Sequence, residues 1–301
     1  MMTHEKNDRR SVWMILTSML IFGSIGVFRR YLPLSSAFLA FFRGILGGLV
    51  LLAFMKTRRK KNTEKLPART VGWLVLSGAL IGINWMLLFE AYNYTTVAVA
   101  TLCYYMQPTI VVLLSPLIFG EKLTVRKAVC AAIAITGMVF VSGVAGSGGM
   151  QAANVRGILL GLGAAVFYAS VVIMNKRIGG IDAYPKTTVQ LLSAGLVMLP
   201  YLLLTGETVG QGFSTRTVLL LLIVGVVHTG IAYVLYFGSM DGLKVQSIAL
   251  FSYIDPVSAL LFSALFLREP LSTGGIIGAV MIIGSAVISE MEKEPHGKDL
   301  A

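Results

Sequence analysis

Four side chains of this 301-residue chain could carry charge or exchange a proton from within long apolar runs: Arg43, Glu90, His228 and Asp255. Asp255 stands directly before Pro256. The proline ring removes a backbone donor and frees a carbonyl, so a helix is expected to bend or loosen there. A carboxylate beside such a break can bind a cationic group or take up a proton; it can equally sit protonated or Arg-paired and only fix helix packing. His228 is isolated among apolar neighbours. Its ordinary pKa of about 6.5 suits proton exchange, although a lone histidine also serves as a satisfied packing residue. Arg43 can attract a carboxylate or phosphate, or it can pair with Glu90 or Asp255. Glu90 lies toward the end of its apolar run, where it can line a vestibule or reach the polar interface.

Aromatic residues add a second kind of chemistry. At about 100° per residue, Thr101, Tyr105 and Pro108 share one helix face, and Ala249, Tyr253 and Pro256 repeat that face later in the chain. Tyr104, Tyr168, Tyr233, Tyr236 and Trp85 supply further ring surface, which can hold organic cations or stack on aromatic groups. Trp13, Trp73 and Tyr31 read as interfacial anchors. Enzyme chemistry is poorly supported: there is no His-Glu-x-x-His and no Gly-x-Ser-x-Gly, and the apolar Cys103 and Cys130 form neither a disulfide framework nor a metal site. No cofactor or metal is expected.

The elements that must position these groups follow from composition. Hydrophobic residues make up 56% of the chain and charged residues 13%, against roughly 25% charged in a soluble domain. Too few polar side chains remain to coat a water-exposed surface. Apolar runs of about 20 residues can each cross a hydrocarbon core of roughly 30 Å as a helix, and they are too long and too regular in polarity for barrel strands. Ten spans are expected: Val12–Phe28, Leu34–Met55, Val71–Ala91, Thr96–Phe119, Val125–Val144, Gly157–Lys176, Tyr184–Leu204, Thr217–Gly238, Val245–Leu267 and Gly274–Ser289. The fold class is therefore an all-α membrane protein. The basic opening stretch resembles a secretory signal, but without a small-residue cleavage site it reads as a retained first helix.

Net charge is +11, and its distribution speaks of topology. Of the 25 Lys and Arg, 19 fall on the side of the two termini and five on the other, with Arg43 inside a span. The positive-inside rule places both termini in the cytoplasm. Nucleic acid is not expected as a partner, even for the basic 56–69 loop; the expected partners are a small-molecule substrate, the lipid bilayer and protons as a candidate coupling ion. Gly44/Gly48, Gly78/Gly82, Gly157/Gly161 and Gly274/Gly278 have the small-xxx-small spacing of close helix contacts, which fits a monomer or a weak homodimer.

The chain also aligns with itself at an offset of 148: Val97, Tyr105, Pro108, Ser115, Glu121 and Leu123 recur as Val245, Tyr253, Pro256, Ser263, Glu269 and Leu271. Gly82, Ile83 and Phe89 recur as Gly230, Ile231 and Phe237. Two units are expected, residues 12–144 and 157–289, each of five spans. An odd number of spans makes the second unit enter the membrane from the opposite side, giving inverted repeats with a site between them near the midplane. The copies differ where chemistry matters: Arg43 faces Gln190 at an offset of 147, and Gln107 faces Asp255. Glu121 and Glu269, near the membrane surfaces, are expected to cap neighbouring helices.

These residues carry a family likeness. Ala98–Thr124, with Tyr105, Pro108 and the closing Gly120-Glu121-Lys122-Leu123-Thr124, and its copy ending Arg268-Glu269-Pro270-Leu271-Ser272, resemble the EamA domain of the drug/metabolite transporter superfamily. Arg43, preceded by Pro33 and Ala40-Phe41-Phe42, resembles that domain's second helix. The resemblance implies ten helices, cytoplasmic termini, a cavity shared by both halves, and secondary transport. The leading expectation is a carrier in the cell membrane for a small polar metabolite such as an amino acid. An organic-cation carrier is the alternative; a lipid flippase, a channel or an intramembrane enzyme is less favoured. Candidate substrate or coupling residues are Arg43, Glu90, Tyr104, Tyr105, Gln107, Tyr168, His228, Tyr233, Tyr253 and Asp255, with Pro108 and Pro256 at helix breaks.

Overall fold

The computed structural model describes residues 2–57, 67–120, 123–142, 152–178, 181–206, 214–240 and 251–290, with Leu243 and Ile248. Among the described residues every regular element is helical. The order is α1 Met2–Arg30, α2 Ser36–Thr57, α3 Ala68–Tyr94, α4 Val97–Tyr104, α5 Gln107–Phe119, α6 Val125–Ser142, α7 Ala152–Arg177, α8 Ala183–Leu196 and α9 Met198–Thr205. It continues with α10 Thr215–Leu222, a π-helical stretch Ile223–Ile231, α11 Ala232–Ser239, α12 Ile254–Phe266 and α13 Thr273–Glu290.

Among the described residues seven runs are long and apolar enough to cross a membrane: Arg9–Arg30, Ser36–Thr57, Ala68–Tyr94, Val97–Phe119, Asn154–Arg177, Ala183–Thr205 and Thr215–Ser239. The other three expected spans are represented by α6, which begins with Arg126 and Lys127 in its first turn, and by the shorter apolar helices Ile254–Phe266 and Thr273–Ser289. Most of the expected ninth span before residue 251 lies outside the described residues. Side-chain distribution is inside-out relative to a water-soluble protein. Val125, Leu117 and Leu204 are 82%, 84% and 87% exposed, whereas Ser18, Ser77, Asn84, Thr229 and Ser263 are fully buried. Such an apolar exterior is stable against lipid and unstable against water.

The prolines act differently from a mid-helix bend. The Val97–Phe119 run is two helices: α4 stops at Tyr104, and α5 restarts at Gln107 with Pro108 in its first turn. Pro256 likewise falls in the first turn of α12, which follows Tyr253. A proline there forfeits no bond, because the first N–H groups of a helix have no intrahelical acceptor. The expected bend is thus a break that presents a helix N-terminus.

The duplicated sequence gives matched elements. Helices α5 and α12 have 13 residues each, and α6 and α13 have 18 each. Gly120 and Arg268, 148 apart, both adopt left-handed backbone, with φ of 69° and 55°. Arg268 is the only non-glycine of positive φ among the described residues, a conformation with a steric cost for a Cβ-bearing residue.

Close helix contact rests on glycine, within this one chain. A Cβ on Gly44 would lie 2.5 Å from the Gly195 nitrogen and 2.7 Å from the Leu191 carbonyl, and one on Gly78 would lie 2.4 Å from the Gln190 carbonyl, all on α8. Gly47 meets Thr229 Cγ2 at 2.3 Å in the same sense. Because the obstacle at Gly44 is backbone, Gly44→Val is expected to destabilise the protein by about 2 kcal/mol, read as a lower melting temperature in detergent; unchanged melting would disprove the tight α2–α8 contact.

Candidate functional site

A cavity of about 320 Å³ lies among helices from both ends of the chain. Its wall includes Phe22 of α1, Arg43 of α2, Trp85, Phe89 and Tyr92 of α3, Thr101 and Tyr104 of α4, and Tyr168 of α7. Tyr105, Gln107 and Pro108 border it at one helix break, and Ser252, Tyr253 and Asp255 at the other; Tyr233 and Tyr236 close it from α11. Arg43 sits roughly 10 Å along its helix from Ser36, at 1.5 Å per residue, so the cavity is well inside the span.

Arg43 is held on two sides. Its Nε donates to Thr229 Oγ1 at 2.8 Å, and its guanidinium lies 4.0 Å from the centre of the Trp85 ring and 5.6 Å from that of Phe89. Thr229 is itself oriented by donating to the Val224 carbonyl five residues back, at 3.1 Å, a contact that the π-helical stretch makes possible. Of the two partners that the sequence left open, neither is taken: no ion pair joins Arg43 to Glu90 or Asp255, and among the described residues the one ion pair is Arg30–Glu269. The terminal N–H groups of Arg43 are therefore not spent on a carboxylate among the described residues.

Asp255 lies in the first turn of α12 and accepts a hydrogen bond from the Tyr105 hydroxyl across the two halves. The N-terminal end of a helix favours a negative charge, which makes this a suitable place for a carboxylate. Around it the rings gather in two groups: Tyr104 is 5.6 Å from Tyr105 edge-on and 5.5 Å from Tyr168, and Tyr233 is 5.2 Å from Phe22 and stacks on Phe237, off the wall, at 5.7 Å.

Eight of the ten candidate residues, Arg43, Tyr104, Tyr105, Gln107, Tyr168, Tyr233, Tyr253 and Asp255, line this cavity together with Pro108. Pro256 follows Asp255 and is itself buried. His228 and Glu90 are not on its wall. His228 is 2% exposed, contacts Ser24 Oγ through Nε2 at 2.9 Å and the Ile223 carbonyl through Nδ1 at 3.4 Å, and rests edge-on against Phe28 at 4.5 Å. The π-helical stretch turns it toward α1. Glu90 accepts from Ser36 at 2.8 Å and from Asn93 at 3.0 Å, in a cluster where Arg29 also bonds Ser36 at 3.1 Å. Gln190, the counterpart of Arg43, is buried elsewhere, donating to Ser77 at 2.7 Å and Asn175 at 2.8 Å.

Sequence reasoning passed over Phe22, Phe89, Tyr92 and Ser252. A signal existed for α3: Trp85, Leu88, Phe89 and Tyr92 recur at the spacing of one helix face, and all four line the cavity. Phe22 and Ser252 had none.

At one end of the molecule Glu269 ties the halves together. Its Oε2 accepts from the Val97 backbone N–H at 2.9 Å and from the Ser263 hydroxyl, and its Oε1 takes Arg30 at 3.0 Å. Arg30 also donates to the Thr95 carbonyl at 2.9 Å. Glu269 thus caps α4, as expected; Glu121, its counterpart, lies outside the described residues.

Comparison with known proteins agrees with this architecture. The sequence profile of the EamA-like transporter family matches residues 9–143 and again 155–291. The uncharacterized transporter YxxF of Bacillus subtilis (strain 168) is 28% identical over 289 residues, spanning 96% of this chain and 92% of that protein. Protein PecM of Dickeya dadantii is 28% identical over 225 residues, 72% of this chain and 74% of its own length. Protein RarD of Salmonella typhimurium is 26% identical over 214 residues, covering 70% of this chain and 69% of that one. A protein of known crystal structure superposes with a TM-score of 0.65 over 93% of this chain and 98% of its own, at 21% identity, so the likeness is one of fold. With two family matches in tandem over almost its whole length and helices suited to cross a bilayer several times, this multi-pass membrane protein belongs to the EamA-like transporter family.

Proposed function

We propose that the protein carries a small polar metabolite of amino-acid-like chemistry, bearing both an anionic and a cationic group, across the cytoplasmic membrane by alternating access. The observation that carries this reading is a cavity that sets one guanidinium, Arg43, and one carboxylate, Asp255, among tyrosine rings contributed by both halves. The terminal N–H groups of Arg43 suit a substrate carboxylate, which a guanidinium can grip with two parallel hydrogen bonds. Asp255 suits the ammonium group or a coupling proton.

Ten spans arranged as two inverted five-helix units, residues 12–144 and 157–289, would supply the mechanism. Helix pairings support a two-fold relation: α1 packs on α12 as α7 packs on α4 and α5, and α3 packs on α7 as α11 packs on α1. Swapping the halves exchanges these pairs, as a pseudo-two-fold between repeats requires. Under this arrangement both termini are cytoplasmic, and the Arg30–Glu269–Val97 cluster closes the outer end. Glu269→Ala is then expected to open that end. A cysteine introduced at Ser252, in a chain with Cys103 and Cys130 changed to serine, should react several-fold faster with an impermeant maleimide added outside. An unchanged rate would remove the latch from the mechanism.

An organic-cation substrate is the second reading, favoured by Asp255 amid rings able to hold a quaternary ammonium. Arg43 in the same cavity opposes it, since a cation without a carboxylate would meet uncompensated like charge. Counterflow into proteoliposomes, screened over a metabolite library, tests both readings. Saturable exchange of amino acids is expected; response to choline-like cations alone would overturn the first reading, and no saturable exchange of any solute would overturn the carrier itself.

A further inference from the structure

Between α3 and α7 the outward-facing surface carries a second hollow, of about 360 Å³, lined by Leu87, Val155, Arg156, Leu159, Leu160 and Gly163. Residues 156, 159, 160 and 163 recur at the spacing of one helix face, so the hollow is a trough along α7. From Arg156 to Gly163 it runs about 10 Å into the apolar span at 1.5 Å per residue. Two contacts set its ends. The Arg156 guanidinium lies 4.1 Å from the Tyr94 ring centre, and a Cβ on Gly163 would meet only Leu87, at 3.6 Å.

The two ends differ in chemistry. Arg156 is exposed at the end of its span, and among the described residues it has no ion-pair partner. Residues 143–155, which lead into it, contain no Asp or Glu. An arginine stacked on a tyrosine where two apolar helices end marks headgroup depth. Below it the trough is lined by Leu87, Leu159, Leu160 and the bare backbone of Gly163, which offer nothing to a polar ligand and close contact to an alkyl chain.

We propose that this trough is a specific phospholipid site, with the lipid phosphate on the Arg156 guanidinium and one acyl chain along Leu159, Leu160 and Gly163 against Leu87. A guanidinium matches phosphate oxygens in paired hydrogen bonds, and the chain fills apolar surface that bulk lipid would cover only transiently.

Native mass spectrometry of the purified full-length protein, released from detergent and titrated with dioleoyl phosphatidylglycerol, tests this. One lipid is expected to stay bound more tightly than the remaining adducts. Arg156→Ala is expected to weaken that adduct about fivefold, the factor corresponding to about 1 kcal/mol of surface attraction per arginine. Gly163→Leu, which fills the trough and leaves the guanidinium in place, should weaken it comparably. Arg156 is exposed and a Cβ at Gly163 meets only Leu87, at 3.6 Å, so melting in lipid-free detergent should change little. Glycerophosphoglycerol, the headgroup without chains, should not compete at equal concentration. Equal adducts in wild type and both variants would mean annular lipid only; competition by the free headgroup would mean a plain phosphate site. Either result overturns the proposal.

Discussion

Proteoliposomes bearing Arg43→Ala are expected to lose 10- to 100-fold in transport efficiency, the range set by the roughly 1.5–3 kcal/mol that a hydrogen bond to a charged group contributes. Arg43 is prepared for a ligand before one arrives: Thr229 holds its Nε, and Trp85 supports its planar face. That leaves the outer N–H groups without a carboxylate partner among the described residues. Removing the side chain should not unfold the protein, because Thr229 still donates to the Val224 carbonyl and no buried partner is orphaned. Lysine should not rescue it, since an ammonium reproduces neither the planar stacking nor the fork. The measurement is counterflow KM and rate for Arg43→Ala and Arg43→Lys, alongside melting temperature. Undiminished counterflow, or a fall matched by loss of the folded protein, would end the assignment of Arg43 to substrate.

The second large effect is expected for Asp255→Asn. Asparagine keeps the shape and still accepts the Tyr105 hydroxyl through its amide oxygen, so the break at the start of α12 should survive. What disappears is the negative charge and the ability to gain and lose a proton. Substrate affinity should drop about tenfold or more for ligands bearing an ammonium group, and a pH dependence seen in the wild type should flatten in the variant. Tyr105→Phe removes only the donor and should fall between the two. If Asp255→Asn leaves both affinity and the pH profile as in the wild type, Asp255 has a packing role only.

These two residues also mark what is legible in the sequence of this chain. An ionisable group in an apolar run is visible in sequence, and so is a proline after an aspartate. Which way the group faces is not. Spans that are apolar all round have no polar side to betray their orientation, so His228, Glu90, Arg43 and Asp255 all stood as candidates. The tertiary structure separates them: His228 is satisfied by Ser24 and Ile223, Glu90 by Ser36 and Asn93, and of the four Arg43 and Asp255 line the cavity. The π-helical stretch bears on this directly. Its five-residue bonding shifts the helical register, so a face projected at 100° per residue no longer predicts where His228 and Thr229 point.

From sequence alone came the membrane class, the helical element, the repeat at an offset of 148 and the family likeness, because bilayer thickness and backbone hydrogen bonding leave a chain this apolar few alternatives. The pairing of α3 with α7 and α8, the break at Tyr105 and the meeting of Arg43 with Asp255 in one cavity belong to the tertiary structure. Those depend on which small residues let which helices approach, as Gly44 and Gly78 do against α8, and a contact between distant helices has no local signature along the chain.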